Sequence, residues 1–261
     1  MYKAFSGIID INDKVTWKLG VDSHSDLAKL GGYADKQLGE FAKFEITPKN
    51  GDYLNPDEWV FLWDEATVPS WCGTHEKELA LQAHKKWLKQ LDKFLVRKKI
   101  VHPFKITPPE IGPRQIRLLK KWNSVGDSVW DSVGASVGDS VGVSVVVSVW
   151  ESVGVSVGDS VWVSVGDSVW VSVGDSVGAS VWDSVGDSVG ASVGAYTGSF
   201  FKIPVWKYVK HPKGKYPYQP LVTLWNQGLV PSFDGTVWRL HGGEKATVLF
   251  SITKTELKKY K

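Results

Sequence analysis

The chain has one cysteine, Cys72, among its 261 residues. A lone thiol closes no internal disulfide and gives no zinc pattern, so a disulfide framework is excluded and a reducing compartment is expected. Residues 1–20 lack the basic start, apolar centre and small-residue cleavage site of a signal peptide. No uncharged apolar run approaches the ~18 residues that a spanning helix needs. The expectation is a cytoplasmic protein with no membrane segment. Between positions 124 and 195 there is no Lys or Arg at all. The glycine-rich stretch there is therefore not a phosphate cradle.

What is abundant is tryptophan, at 14 residues, which a disordered chain would not carry. The net charge of +3 conceals a partition. Residues 1–123 hold 20 Lys/Arg against 16 Asp/Glu, residues 124–195 hold 9 Asp/Glu alone, and residues 196–261 hold 11 against 3. Two basic ends flank an acidic middle.

That middle is a repeat. Ser stands at 124 and at every fourth position through Ser192, each followed by Val, giving eighteen copies of Ser-Val-x-x. The third position is Gly in twelve copies and Trp in five, and the fourth is Asp, Glu, Ala or Val. A short fixed period signals a repeat architecture before any other inference. In a continuous α-helix a four-residue step turns about 400°, so the Val row drifts about 40° per copy and makes no lasting face. The glycines add roughly 1 kcal/mol each against a helix. In a long flat strand Val shares its face with the fourth position, which is Asp or Glu nine times. Both arguments favour strands interrupted within each unit, with Val inward, Gly at a corner and Ser in a hydroxyl ladder. Trp130, Trp150 and Trp170 fall twenty apart, as do Trp162 and Trp182. A twenty-residue coil would stack them in two columns. Single-base changes between Gly and Trp codons in a duplicated DNA repeat explain the same spacing.

The unit resembles that of the pentapeptide-repeat family of right-handed β-solenoids, with one residue less per side. The flanks look like those of bacterial and phage repeat proteins of no assigned activity. The resemblance implies a mainly β chain in three parts. These are an N-terminal α+β domain over 1–123 with a long basic helix about 75–99, a β-solenoid over 124–195, and a C-terminal α+β cap over 196–261.

The flanks have local signals of their own. Phe5–Ile11 and Val15–Leu19 read as a hairpin around Asn12-Asp13, and Ala42–Thr47 with Glu58–Trp63 as a second strand pair. Ser23 caps a short helix that Gly31-Gly32 stops. From Thr74 a helix runs with Leu81, His84, Leu88, Leu91 and Leu95 on one face and Lys85, Lys86, Lys89 and Lys93 on the other. Arg114–Trp122 and Pro220–Gln227 read as shorter helices, and Thr236–Leu240 with Ala246–Ile252 as a hairpin.

No catalytic constellation emerges. His24 lies in Asp22-Ser-His-Ser-Asp26, where helix capping explains the letters. His75 and His84 have no metal-ligand spacing. Asp234, Arg239 and His241 form a trio that cross-strand pairing accounts for. The chain is therefore expected not to be an enzyme and to need no cofactor or metal, with an enzyme seated in the N-terminal domain as the third-ranked reading.

The first is a structural or interaction scaffold, monomeric or weakly self-associating, with an unidentified protein partner. Its candidate binding residues are Trp130, Trp150, Trp162, Trp170 and Trp182 with Asp127, Asp167 and Asp187. The second is an acidic nucleic-acid mimic that occupies a DNA-binding protein. The basic helix face carries no nucleic-acid motif of its own.

Overall fold

The computed structural model describes residues 5–33, 39–51, 54–141, 149, 157–161, 163–165, 167 and 179–261. The chain packs into two compact units, Met1–Lys98 with Val141–Val149, and Lys99–Ser140 with Trp150–Lys261.

The first unit is a four-stranded antiparallel sheet covered by a helix on each face. β1 (Phe5–Asp10) and β2 (Val15–Thr16) make the expected hairpin, with Asp13 in the left-handed region at φ 66°. β3 (Phe41–Thr47) pairs with β1, and β4 (Val60–Trp63) with β3, giving the order β2-β1-β3-β4. Side chains alternate between the two faces. Ile8 and Phe41 face α1 (His24–Gly31), where Leu27 and Ala28 complete a buried cluster. Phe5, on the opposite face, meets His84 and Trp87 of α2 (Thr74–Phe94) at ring-centroid distances of 5.4 and 5.3 Å.

Both helices begin and end for local reasons. The Ser23 hydroxyl accepts from the Asp26 amide, and Gly32 stops α1 in the left-handed region at φ 93°. The Glu76 carboxylate accepts the Gly73 N–H at the start of α2. The buried stripe of α2 is Ala80, Ala83, His84, Trp87 and Leu91, which is helical spacing. It differs from the expected face in that Leu81 and Leu88 are only half-buried, while Ala80, Ala83 and Trp87 take the core positions. The helix ends at Phe94, short of Arg97-Lys98-Lys99, because Leu95 turns extended and is itself buried.

The second unit contains α3 (Pro113–Asn123), a 3-10 turn (Gly126–Ser128), α4 (Val129–Val141), α5 (Ala179–Gly198) and α6 (Gln219–Trp225). A three-stranded antiparallel meander follows, β5 (Leu229–Phe233), β6 (Val237–Gly242) and β7 (Thr247–Thr253), and then α7 (Lys254–Lys259). Tyr196, at the end of the repeat, stacks on Trp225 at 4.6 Å. Its hydroxyl accepts the Val101 N–H, and the Trp225 indole donates to the Val101 carbonyl, so one backbone position ties three segments together.

The repeat corrects the main sequence expectation. Among the described residues it is helical, and both sheets lie in the flanks. The chain is therefore not mainly β, and neither a β-solenoid nor the pentapeptide-repeat likeness holds. A drift of about 40° per copy does not exclude a helix over a few copies. α4 carries Val129, Val133 and Val137, all buried, and three copies drift only about 80°, within the width of an ordinary apolar stripe. In α5 the drift becomes visible. Val185 and Val189 are buried and Val193 is half-buried, while Ala191, Ser192 and Ala195 have moved into the core. Of the second-position valines whose burial is described, all are buried except Val125 and Val193, which are half-buried, and the described acidic fourth positions are exposed, but in helices or helical turns. Tertiary burial of the stripe outweighs the glycine cost.

The serines also act differently from a ladder. Ser192 Oγ donates to the Ser188 carbonyl and Ser188 Oγ to the Val185 carbonyl, the local bonding open to serine inside a helix. The same row then reaches sideways. Ser188 Oγ accepts the Phe233 N–H at 2.9 Å, and Ser192 Oγ lies 3.5 Å from the Pro231 carbonyl. β5 is an edge strand, and α5 covers its outward polar groups with this serine row. Ser136 does likewise for the Lys207 N–H at 2.8 Å. Among the described residues no helix is long and apolar enough to cross a membrane.

Candidate functional site

Among the described residues of the second unit, a pocket of about 410 Å³ forms where the first repeat copies meet α5 and the C-terminal meander. α3 delivers Trp122 and Asn123, the 3-10 turn Asp127, and the first turn of α4 Trp130. α5 supplies Asp187, the meander Phe233 and Trp238, and α7 Lys254. Each wall is fixed from behind. Trp122 is buried, and a Cβ on Gly126 would stand 3.3 Å from its ring, so the repeat's glycine here lets the chain pass close over the indole. The Trp238 indole donates to Asn123 Oδ1 at 2.9 Å and its ring stacks on Phe233 at 4.8 Å. Lys254 Nζ sits 4.9 Å above the Phe233 ring, so the site already holds one cation against an aromatic face.

Trp130 is the exposed wall of the pocket, with half of its surface accessible. On its other side is a shallower, open depression shared with Tyr208, Asp131 and Gly134. Asp127 and Asp187 are both exposed. The pocket thus combines indole faces with two solvated carboxylates and a single lysine. Such a lining suits a positively charged group, which gains from the ring faces and from the carboxylates together.

Three of the eight binding residues expected from the sequence, Asp127, Trp130 and Asp187, converge here although they come from opposite ends of the repeat. Asp167 is exposed and is not part of the lining. Trp182 lies on α5. Trp150, Trp162 and Trp170 fall outside the described residues. Sequence reasoning missed Trp122, Asn123, Trp238 and Lys254. The only local signal was that Trp122-Asn123 directly precedes the first copy.

The Asp234–Arg239–His241 trio separates into two structural devices. Asp234 pairs with Arg239 and accepts the Thr236 and Val237 amides, which closes the β5–β6 turn. Burial acts to raise the Asp234 pKa, but the Val237 amide and Arg239 outweigh it and hold the carboxyl below its usual value. His241 instead lies with Ser232: Nδ1 meets the Ala246 carbonyl at 3.0 Å and Nε2 the Ser232 hydroxyl at 2.8 Å. The carbonyl fixes the proton on Nδ1, so Ser232 donates to Nε2, the hydrogen-bond order of a serine nucleophile and its base. Both side chains are fully buried, and burial pushes the imidazole down to about 4. With no access for a substrate, the pair is a satisfied core contact.

No family model matches the chain, and no curated protein and no solved structure matches it either.

Proposed function

We propose that the chain is an interaction scaffold whose pocket between the repeat and the meander takes a basic side chain, arginine or lysine, from a protein partner. One observation carries the reading. Asp127 and Trp130, from the start of the repeat, and Asp187, near its end, line one concavity with two further tryptophans. The exposed acidic positions of the repeat support it by attracting basic segments at a distance.

The test is calorimetric titration of the full chain with an arginine-rich hexapeptide and with its glutamate counterpart. Binding of the basic peptide alone is expected, weakening as salt rises. Trp130→Ala and Asp187→Asn should each weaken it by about tenfold, the usual weight of an aromatic or charged anchor. Equal affinity for the two peptides, or undiminished binding by Trp130→Ala, contradicts the proposal.

A further inference from the structure

The first unit holds a second constellation, independent of the pocket. The geometry points to a divalent-metal site of the zinc class formed by His24, Glu45 and Asp64.

The three ligand positions come from three different elements. His24 is the first residue of α1, Glu45 lies on β3, and Asp64 directly follows β4. The Asp64 amide donates to the Lys43 carbonyl at 2.9 Å, which prolongs the β3–β4 ladder and holds the carboxylate beside Glu45. One imidazole nitrogen and one oxygen of each carboxylate lie within 4.8 Å of one another.

The hydrogen bonds of His24 make this more than proximity. Nε2 lies 3.2 Å from the Phe44 carbonyl, which can only accept, so Nε2 carries a proton. The other ring nitrogen, Nδ1, faces Asp64 Oδ2 at 3.0 Å. An imidazole nitrogen and a carboxylate oxygen that close share either a proton or a metal ion. A proton would satisfy Nδ1 and Asp64 but would leave Glu45 converging on nothing. A metal ion satisfies all three. The backbone carbonyl behind the imidazole is also the usual outer support of a metal-bound histidine.

The donor set of one imidazole and two carboxylates suits Zn²⁺, whereas Ca²⁺ takes oxygen ligands alone. Around a tetrahedral zinc with bonds of about 2.1 Å, ligand atoms stand roughly 3.4 Å apart. The widest ligand pair, within 4.8 Å, would close by up to about 1.4 Å and the His24–Asp64 pair would open by about 0.4 Å, both within side-chain torsion. The positive end of α1 opposes a dication with about half a charge, against two full charges from the carboxylates. Lys43, on the same face of β3, is directed to Glu65 at 3.8 Å. His24 is 12 % exposed and Asp64 58 %, so the site opens to solvent on the Asp64 side, where a water would take the fourth position.

A control is built in. Asp13, His75 and Glu76 are similarly close, but His75 and Asp13 are more than half exposed and Glu76 is held by the Gly73 amide.

The experiment is titration of the chelator-treated full chain with ZnCl₂, read by calorimetry and thermal melting, and with Co²⁺, read by its visible absorption. One Zn²⁺ per chain, a raised melting temperature and a tetrahedral Co²⁺ spectrum are expected. His24→Ala and Glu45→Gln should each lower the affinity by about tenfold or more, and His75→Ala should leave it unchanged. Glu45→Gln is decisive, since it spares a proton shared by His24 and Asp64. Undiminished zinc binding by Glu45→Gln, absence of stoichiometric binding, or loss of binding in His75→Ala would overturn the assignment.

Discussion

Two helices of nearly equal length, α2 with 21 residues and α5 with 20, stand for two ways of making the same structure. α2 is rich in Leu, Lys, Glu, Gln and Ala, straight-chain or small residues that lose little on becoming helical. It has an acidic first turn, Lys93 in its last turn and a stripe of helical period. α5 is mostly Ser, Val, Gly, Ala and Asp, which are neutral or poor helix formers apart from Ala. It has no basic residue in its last turn. What holds it is tertiary: buried valines, serines bonded to the β5 edge, and Tyr196 locked between Trp225 and Val101. The lesson is that a poor helical sequence can be imposed by what it packs against, provided each helix is short enough for its stripe to survive the drift.

The comparison breaks most sharply at a buried valine. Val189→Asp places an unpaired charge in the core of α5 and should cost about 4 kcal/mol. Asp187→Asn, two residues earlier on the exposed face, should shift stability by less than about 0.5 kcal/mol. Urea unfolding followed by circular dichroism measures both. Similar midpoints for the two variants would mean that the valine stripe does not hold the helix.

Acid probes the other helix. His84 of α2 lies among Phe5, Trp59 and Trp87, and among the described residues its Nε2 has no hydrogen-bond partner. Burial pushes its pKa down to about 4 from 6.5. The folded state therefore favours the neutral ring. Stability from this source is full above the unfolded value and is lost as the pH falls from about 6.5 to about 4, by roughly 3 kcal/mol in all. His84→Phe should remove that part of the pH dependence, measured as the change in urea midpoint between pH 7 and pH 4. An unaltered slope would show that His84 is not held neutral by the fold.

Where the chain chooses its structure locally, its sequence was legible. The β1–β2 hairpin, α1 with its Ser23 cap and Gly32 stop, the β3–β4 pair and the start of α2 follow from nearest-neighbour chemistry. β5 was missed because Pro231 breaks its strand pattern, tolerable only because β5 is an edge. α7 was missed although Thr253 and Glu256 form a capping box. Of the pocket, Asp127, Trp130 and Asp187 were among the candidate binding residues of the repeat, whereas Trp238 and Lys254 join them only through packing. His24 was noticed in its acidic surroundings, but Glu45 and Asp64 reach it through strand pairing that no local pattern announces. The repeat was misread for the same reason. Its period fits strands and helices almost equally badly, and the decision lies in contacts with β5, α6 and the Val101 segment.

A gain of stability is the most direct measurement of that decision, because its sign differs between the two structures. Gly134 occupies a third position of the repeat in the middle of α4, is exposed, and a Cβ built on it meets nothing within 4 Å. In a helix Gly134→Ala removes an entropic cost, so the urea midpoint should rise, equivalent to about 1 kcal/mol of added stability with an unchanged denaturant slope. At a solenoid corner that needed glycine's left-handed backbone the same change would lower the midpoint, and that result would contradict the helical repeat.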